Sequence, residues 1–235
     1  MRALTIRSRI KNMEYPIRIN KYLRDKGFAS RREADKLVES GRVFVNGKRV
    51  DNGTMVNEKD KVLIKGEKKE YQYLAYYKPR NLPTQDLPGK KSVITEWKDK
   101  GLYPIGRLDK SSEGLLLLTN DGRFAREVLS GPEGYPKKYE KEYLVSVKEP
   151  LRVGVVKIFK SGMEMQALGK LLPAKARIIN NKKIQVILNE GKRHQVRVMF
   201  NELNYTISSL KRVRIGNIKI GNLKPGETRS LFISI

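Results

Sequence analysis

Along the first part of the chain the apolar positions change period. Ile17, Ile19, Tyr22, Leu23 and Phe28 follow a helical spacing, with Gly27 as a stop signal. Ser30 and Glu33 make a capping box for a second helix, Arg31 to Glu39, whose Ala34, Leu37 and Val38 turn inward before Gly41. The period then shortens to that of strands: Val43 to Val45, an Asn46-Gly47 turn, Arg49-Val50 and Val62 to Ile64. Two short helices leading into small β elements predict a compact unit over residues 16–66, small but able to fold.

Residues 67–71 open with a charged run lacking apolar side chains and read as a linker. Over 72–235 strand-like runs predominate: Tyr73 to Tyr77, Leu115 to Leu118, Tyr143 to Val147, Ala176 to Ile179 and Ile184 to Leu188. Helical patterns fall at Arg123 to Leu129 and Arg193 to Leu203. The strands do not alternate with helices, so the fold class is α+β with a mixed, mainly antiparallel sheet and flanking helices.

Charge adds a partner to this picture. Lys and Arg number 50 against 25 Asp and Glu, a net charge of +25 in 235 residues. Such an excess suits a polyanion, because neutralising phosphates releases condensed counterions. No long apolar run or basic amphipathic helix points to a membrane instead. The chain has no cysteine, which excludes disulfides, thiolate catalysis and Cys-based zinc sites, and nothing calls for an oxidising compartment. His194 is the single histidine, which argues against a His-rich metal site. The basic segment before Met13 reads as an RNA-touching arm (1–15), an Arg-rich transit-type leader, or an extension ahead of a start at Met13.

Gly106-Arg107-Leu108-Asp109 stands out against this background: one carboxylate beside a cation, ahead of the run Leu115 to Leu118. It has neither a Walker nor a dinucleotide-binding spacing. Glu113 lies four residues on, but Gly114 separates it from any regular face, so a glycosidase-type carboxylate pair is not indicated.

Two family resemblances organise these observations. Ile19-Asn20-Lys21-Tyr22-Leu23, Ser30-Arg31-Arg32-Glu33-Ala34-Asp35 and Gly41-Arg42-Val43-Phe44-Val45-Asn46-Gly47 together resemble the S4 RNA-binding domain. Lys21, Arg24, Arg31, Arg32, Lys36 and Arg42 can then share one face of the helix pair. Cations at the start of the second helix oppose the helix dipole, which favours a phosphate partner over simple solvation.

The second resemblance is to the pseudouridine synthases, in the ribosomal-RNA branch that carries an N-terminal S4 domain. It rests on Gly106 to Asp109 with Glu113 to Gly122, on Lys78-Pro79, on Lys141 to Val145, on Asn189 to Arg197, and on Leu210 to Gly216. By this resemblance a uridine is flipped from the RNA, its glycosidic bond is cleaved, and the base is rejoined through C5. No cofactor and no metal are implied. Asp109 is the catalytic carboxylate, and Arg197 its basic partner, an opposite charge that favours the ionised form. Tyr143 lies against the base, where its ring can stack and its hydroxyl can handle the C5 proton. Arg107 fills the space that the flipped base vacates. Lys78 shapes the site edge and meets a phosphate, and Lys192 and Arg193 bind phosphate. His194 is expected to hydrogen-bond at a helix start, without a chemical role. Val198 stands where relatives often carry a second basic residue.

The expected partner is ribosomal RNA or a ribosome assembly intermediate, met by a cytoplasmic monomer away from membranes. The alternative is a catalytically silent RNA-binding or ribosome-assembly factor; the combination of Asp109, Tyr143 and Arg197 argues against it.

Overall fold

The computed structural model describes residues 4–5, 13–66, 69–86, 88–129 and 139–234. Most of the basic arm and residues 67–68 of the expected linker lie outside that set. Internal contacts divide the chain into two units, Met1–Gln72 with Asn120–Glu127 and Phe232–Ile235, and Tyr73–Thr119 with Val128–Leu231.

In the first unit, α1 (Ile19–Asp25) and α2 (Arg31–Glu39) lead into β1 (Val43–Val45), β2 (Lys48–Arg49) and β3 (Val62–Ile64). Ile19 and Leu23 of α1, Ala34 and Val38 of α2, and Val43 and Val45 of β1 bury one another in a single cluster. A seven-residue helix such as α1 is not stable alone in water, so this burial is what maintains it. The chain leaves α1 through Gly27, at φ 76°, and Phe28 N–H donates back to Leu23 O at 2.9 Å. The capping box on α2 forms: Ser30 N–H donates to the Glu33 carboxylate at 3.1 Å, and Glu33 N–H donates to Ser30 Oγ at 3.4 Å. Strands β1 and β2 are joined through Asn46 (φ 50°) and Gly47 (φ 82°), the left-handed pair that a tight hairpin needs.

Two local expectations fail here. Phe28 is half exposed, because the helix has already ended when the chain reaches it. Ile17 is buried, but in a two-residue strand paired with Met55–Val56 ahead of α1.

The second unit is built on a sheet of β4 (Tyr73–Lys78), β5 (Tyr103–Ile105), β6 (Glu113–Thr119), β7 (Lys141–Val147), β8 (Lys175–Asn180), β9 (Lys183–Leu188), β10 (Ile207–Ile215), β11 (Ile218–Lys219) and β12 (Thr228–Ser230). Among the described residues the order is β8-β9-β7-β10-β6-β4-β12, with β11 attached to β10 and β5 to β6. Every pair is antiparallel except β10 with β6, which run parallel through Lys211↔Glu113 and Arg212↔Gly114. The mixed, mainly antiparallel α+β class therefore holds.

The hydrophobic pattern of each strand follows its place in this order. Leu115 to Leu118 on β6 are all fully buried, as both faces of a central strand require. Leu116 and Leu118 pack with Tyr76, Leu102, and Val93 and Trp97 of α3 (Val93–Trp97). Helix α4 (Gly122–Leu129) comes next; its opening residues group with the first unit, where Arg123 donates to Gly27 O at 3.0 Å. Strands β7 and β9 alternate instead, turning Tyr143, Val145, Val147, Ile184, Val186 and Leu188 to one face. That face is covered by α5 (Gly154–Ser161) and α6 (Gln195–Glu202), with Phe159 and Phe200 edge to face at 5.3 Å between ring centroids.

The sequence pattern does not anticipate α5 or β10. Strand β10 alternates only as Leu210, Arg212 and Arg214 on one parity, and the arginines mask its strand character. Helix α6 starts at Gln195, two residues after the expected Arg193, because His194 adopts a left-handed backbone at φ 55°.

Candidate active site

The loop between β5 and β6 carries Gly106 to Asp109, and its backbone is tied down at successive residues. Gly106 turns the chain at φ 73°, in the left-handed region where a side chain is strained. Thr84 Oγ1 accepts from Leu108 N–H at 3.1 Å and donates to Leu108 O at 2.6 Å. The Leu108 side chain is buried in the same cluster as Tyr143 and Val196. Arg212, buried on β10, donates from Nη1 to Arg107 O at 3.3 Å and from Nε to Leu115 O at 2.8 Å. Ser112 N–H closes the turn on Asp109 O at 3.0 Å. Anchoring of this kind presents the Asp109 carboxylate in one place before any substrate arrives.

Gly114 lets the two parallel strands meet beneath this loop. A Cβ there would stand 2.3 Å from Arg212 O and 2.9 Å from Arg212 N, both backbone atoms. Its φ of 107° is also one that L side chains rarely adopt. The residue that looked like a separator is thus a packing requirement of the sheet.

Asp109 is partly exposed and has a basic neighbour on each oxygen. His194 Nδ1 lies 2.9 Å from Oδ1, and Arg197 Nε lies 3.6 Å from Oδ2. Arg197 is itself fixed by a 2.8 Å hydrogen bond from Nη2 to Ser112 Oγ. Burial lowers the Arg197 guanidinium from its ordinary value, with Asp109 opposing that shift and Arg80 adding to it. His194 stands just ahead of α6 and Arg197 in its first turn, so the start of this helix delivers both. On the far side of the motif Tyr77 Oη donates to the Glu113 carboxylate at 2.9 Å, and Lys211 Nζ sits 4.7 Å from the centre of the Tyr77 ring. Burial, then Glu113, push the Tyr77 hydroxyl up to about 12, so it remains a donor.

The structure places Arg197 Nε 3.6 Å from the Asp109 carboxylate. Tyr143 is buried on β7 in the cluster that contains Leu108 and Val196, the chain neighbours of those two residues. Arg107 is exposed, and its Nη1 donates to Gln85 Oε1 at 2.9 Å. Arg193 is exposed as well, with Nε directed at His194 Nε2, 3.3 Å away. In the first unit Lys21, Arg31 and Arg32 are exposed.

Four assignments change. Lys78 is fully buried, with Nζ donating to Pro79 O at 2.8 Å and Leu82 O at 2.7 Å, so it pins the chain after β4 and does not meet a phosphate. Burial lowers its ammonium to about 8, against the pull of Asp109. Lys192 likewise spends Nζ on Leu168 O at 2.6 Å and Lys170 O at 2.9 Å, holding two backbone segments together. Arg24 is engaged by Asp25 at 2.7 Å, which reduces its value as a phosphate ligand. His194 occupies the N-cap position of α6, yet its side chain makes no capping bond and turns to Asp109.

Thr84, Gln85, Ser112 and Arg212 were not identified from the sequence as parts of this site. Of these only Arg212 left a usable trace, a charged residue sharing the strand parity of Leu210. Among the described residues no group of three or more His, Asp or Glu side chains is placed to hold a metal ion.

Comparisons with known proteins find relatives over most of the chain. An RNA pseudouridylate synthase family model matches residues 72–202, and an S4 domain model matches residues 17–62. The ribosomal large subunit pseudouridine synthase B of Bacillus subtilis (strain 168) is 35% identical over 229 residues, covering 91% of each chain. The dual-specificity RNA pseudouridine synthase RluF of Escherichia coli (strain K12) is 32% identical over 225 residues, covering 92% of this chain and 75% of that one. A crystal structure of a pseudouridylate synthase superposes with a TM-score of 0.67 at 26% identity, covering 92% of this chain and 96% of the other.

Proposed function

The chain belongs to the RNA pseudouridylate synthase family, and from that premise we propose that it isomerises a uridine of ribosomal RNA to pseudouridine with Asp109 as the catalytic carboxylate. The observation that carries this reading is the Asp109 carboxylate itself: partly open to solvent, on an anchored loop, with a basic group facing each oxygen. Ribosomal RNA as the substrate is supported by the name of the Bacillus subtilis relative and by the chain's charge of +25.

In the proposed reaction the uridine leaves its stack at a cost of a few kcal/mol, and Arg107 takes the vacated space. Asp109 then attacks the sugar or base, or stabilises the cation that forms, as the N1–C1′ bond breaks. The freed uracil turns and C5 bonds to C1′. The C5 proton leaves to a base, N1 regains a proton, and the product is an isomer of the substrate. Arg197 orients the carboxylate, and Tyr143 supports the base and is positioned to handle the C5 proton.

Residues 16–66 supply the RNA grip, with Lys21, Arg31 and Arg32 as exposed phosphate ligands and Arg193 as another from the catalytic part, 72–235. The enzyme is proposed to act as a cytoplasmic monomer. Tritium release from C5-labelled uridine in undermodified ribosomal RNA tests the reading. Release should occur with the wild type and vanish in Asp109→Asn while RNA binding persists. No release on either ribosomal subunit's RNA would overturn it.

A further inference from the structure

His194 is the chain's only histidine, and the two ordinary explanations for its place both fail. It does not belong to the core, since its side chain is 47% exposed. It does not cap α6 either, although it sits at the N-cap position. Its backbone is instead held left-handed at φ 55°, ψ 18°, a conformation uncommon for a residue with a Cβ. That backbone sends the ring to Asp109, with Nδ1 2.9 Å from Oδ1. The ring's other nitrogen, Nε2, accepts from Arg193 Nε at 3.3 Å.

These partners assign the protons of the neutral ring. An atom that accepts from an Arg193 N–H offers its lone pair, so the ring proton belongs on Nδ1, facing the Asp109 carboxylate. We propose that His194 is a positioning residue for Asp109: its Nδ1 stands 2.9 Å from Oδ1 while the Arg197 guanidinium stands 3.6 Å from Oδ2, one basic group to each oxygen. One contact would leave the carboxylate free to rotate about its Cβ–Cγ bond; two define its plane. The charged and titratable groups around this pair include Arg197 on α6, Arg193 ahead of it, Lys78 at the end of β4 and Arg80 after it; Asp109 and Lys78 feel each other's charge, as do Arg197 and Arg80.

The catalytic part of this inference rests on the proposed role of Asp109, and the test separates the two. In His194→Gly the left-handed backbone is unstrained and the donor is lost, whereas in His194→Asn the residue tolerates the same backbone and its Nδ2 stands near the position of Nδ1. With undermodified ribosomal RNA the glycine variant should lose about 10- to 100-fold in kcat with KM little changed, and the asparagine variant should recover most of it. Histidine labelled with ¹⁵N gives a single imidazole in this chain, so the tautomer can be read directly without activity. The wild type should show Nδ1–H, and the double substitution Asp109→Ala, Arg193→Ala should relax toward Nε2–H. A wild-type Nε2–H tautomer would overturn the inference. So would a glycine variant that turns over like the wild type in an enzyme that Asp109→Asn abolishes. Absence of isomerisation in the wild type would instead overturn the proposed function, and the ¹⁵N spectrum would still decide the contact.

Discussion

Replacing Lys78 by methionine should alter stability in a way that depends on pH, and the structure sizes the effect. The side chain is fully buried, and burial lowers its ammonium from 10.5 to about 8. Between those values the unfolded chain binds the proton and the folded chain does not. Unfolding therefore takes up a proton, and folded-state stability rises with pH across that window. Below it both states are protonated and the full cost of burying the charge is present; above it neither is, and the cost is gone. A separation of about 2.5 pH units (10.5 − 8), at about 1.4 kcal/mol each, sets a limit of about 3 kcal/mol.

Relative to Lys78→Met, the wild type should gain about 1 kcal/mol between pH 7 and pH 9, and about 2–3 kcal/mol by pH 10. Methionine also leaves Pro79 O and Leu82 O without their donor, a loss of about 1–3 kcal/mol that is the same at every pH. Urea unfolding followed by the fluorescence of Trp97, the only tryptophan, provides the measurement. Surface lysines and tyrosines titrate in both proteins and cancel in the difference. Stability curves that run parallel from about pH 7 to about pH 10 would refute the account of Lys78 as a buried, charge-strained anchor.

Two further outcomes follow from the geometry. Gly114→Ala places a Cβ 2.3 Å from a backbone oxygen of the neighbouring strand and forces a left-handed φ on a side chain, so its urea midpoint should fall by the equivalent of about 3 kcal/mol or more; an unchanged midpoint would mean the β6–β10 approach is looser than the structure has it. The double substitution Arg31→Ala, Arg32→Ala should flatten the plot of log affinity for ribosomal RNA against log salt by about 1.4 to 1.8, two phosphate contacts' worth; an unaltered slope would remove this helix start from the RNA interface.

How much of the site was legible depended on how local each signal is. Gly106, Asp109 and Arg197 sit in compact motifs, so their neighbours in the chain single them out. Lys78 and Lys192 misled because a lysine in a basic chain reads as a surface cation. Whether its ammonium reaches solvent or folds back on carbonyls is settled by chain segments up to 24 residues away. Gln85 and Thr84 carry no motif at all, and only the approach of two loops gives them their partners.

Local sequence set the capping box of α2, the Asn46-Gly47 turn, the apolar run Leu115 to Leu118 and the place of Asp109 beside a cation. Those are properties of neighbouring residues, governed by backbone sterics and hydrophobic period. The tertiary structure alone decided which charges are spent and which are presented. It buried Arg212 beneath the Gly106–Asp109 loop, engaged Arg24, Lys78 and Lys192 internally, and turned the single histidine onto Asp109. The physical reason is that the energy of a charge depends on solvent and partners brought together by the fold, and residues 85 positions apart, such as Ser112 and Arg197, meet only there.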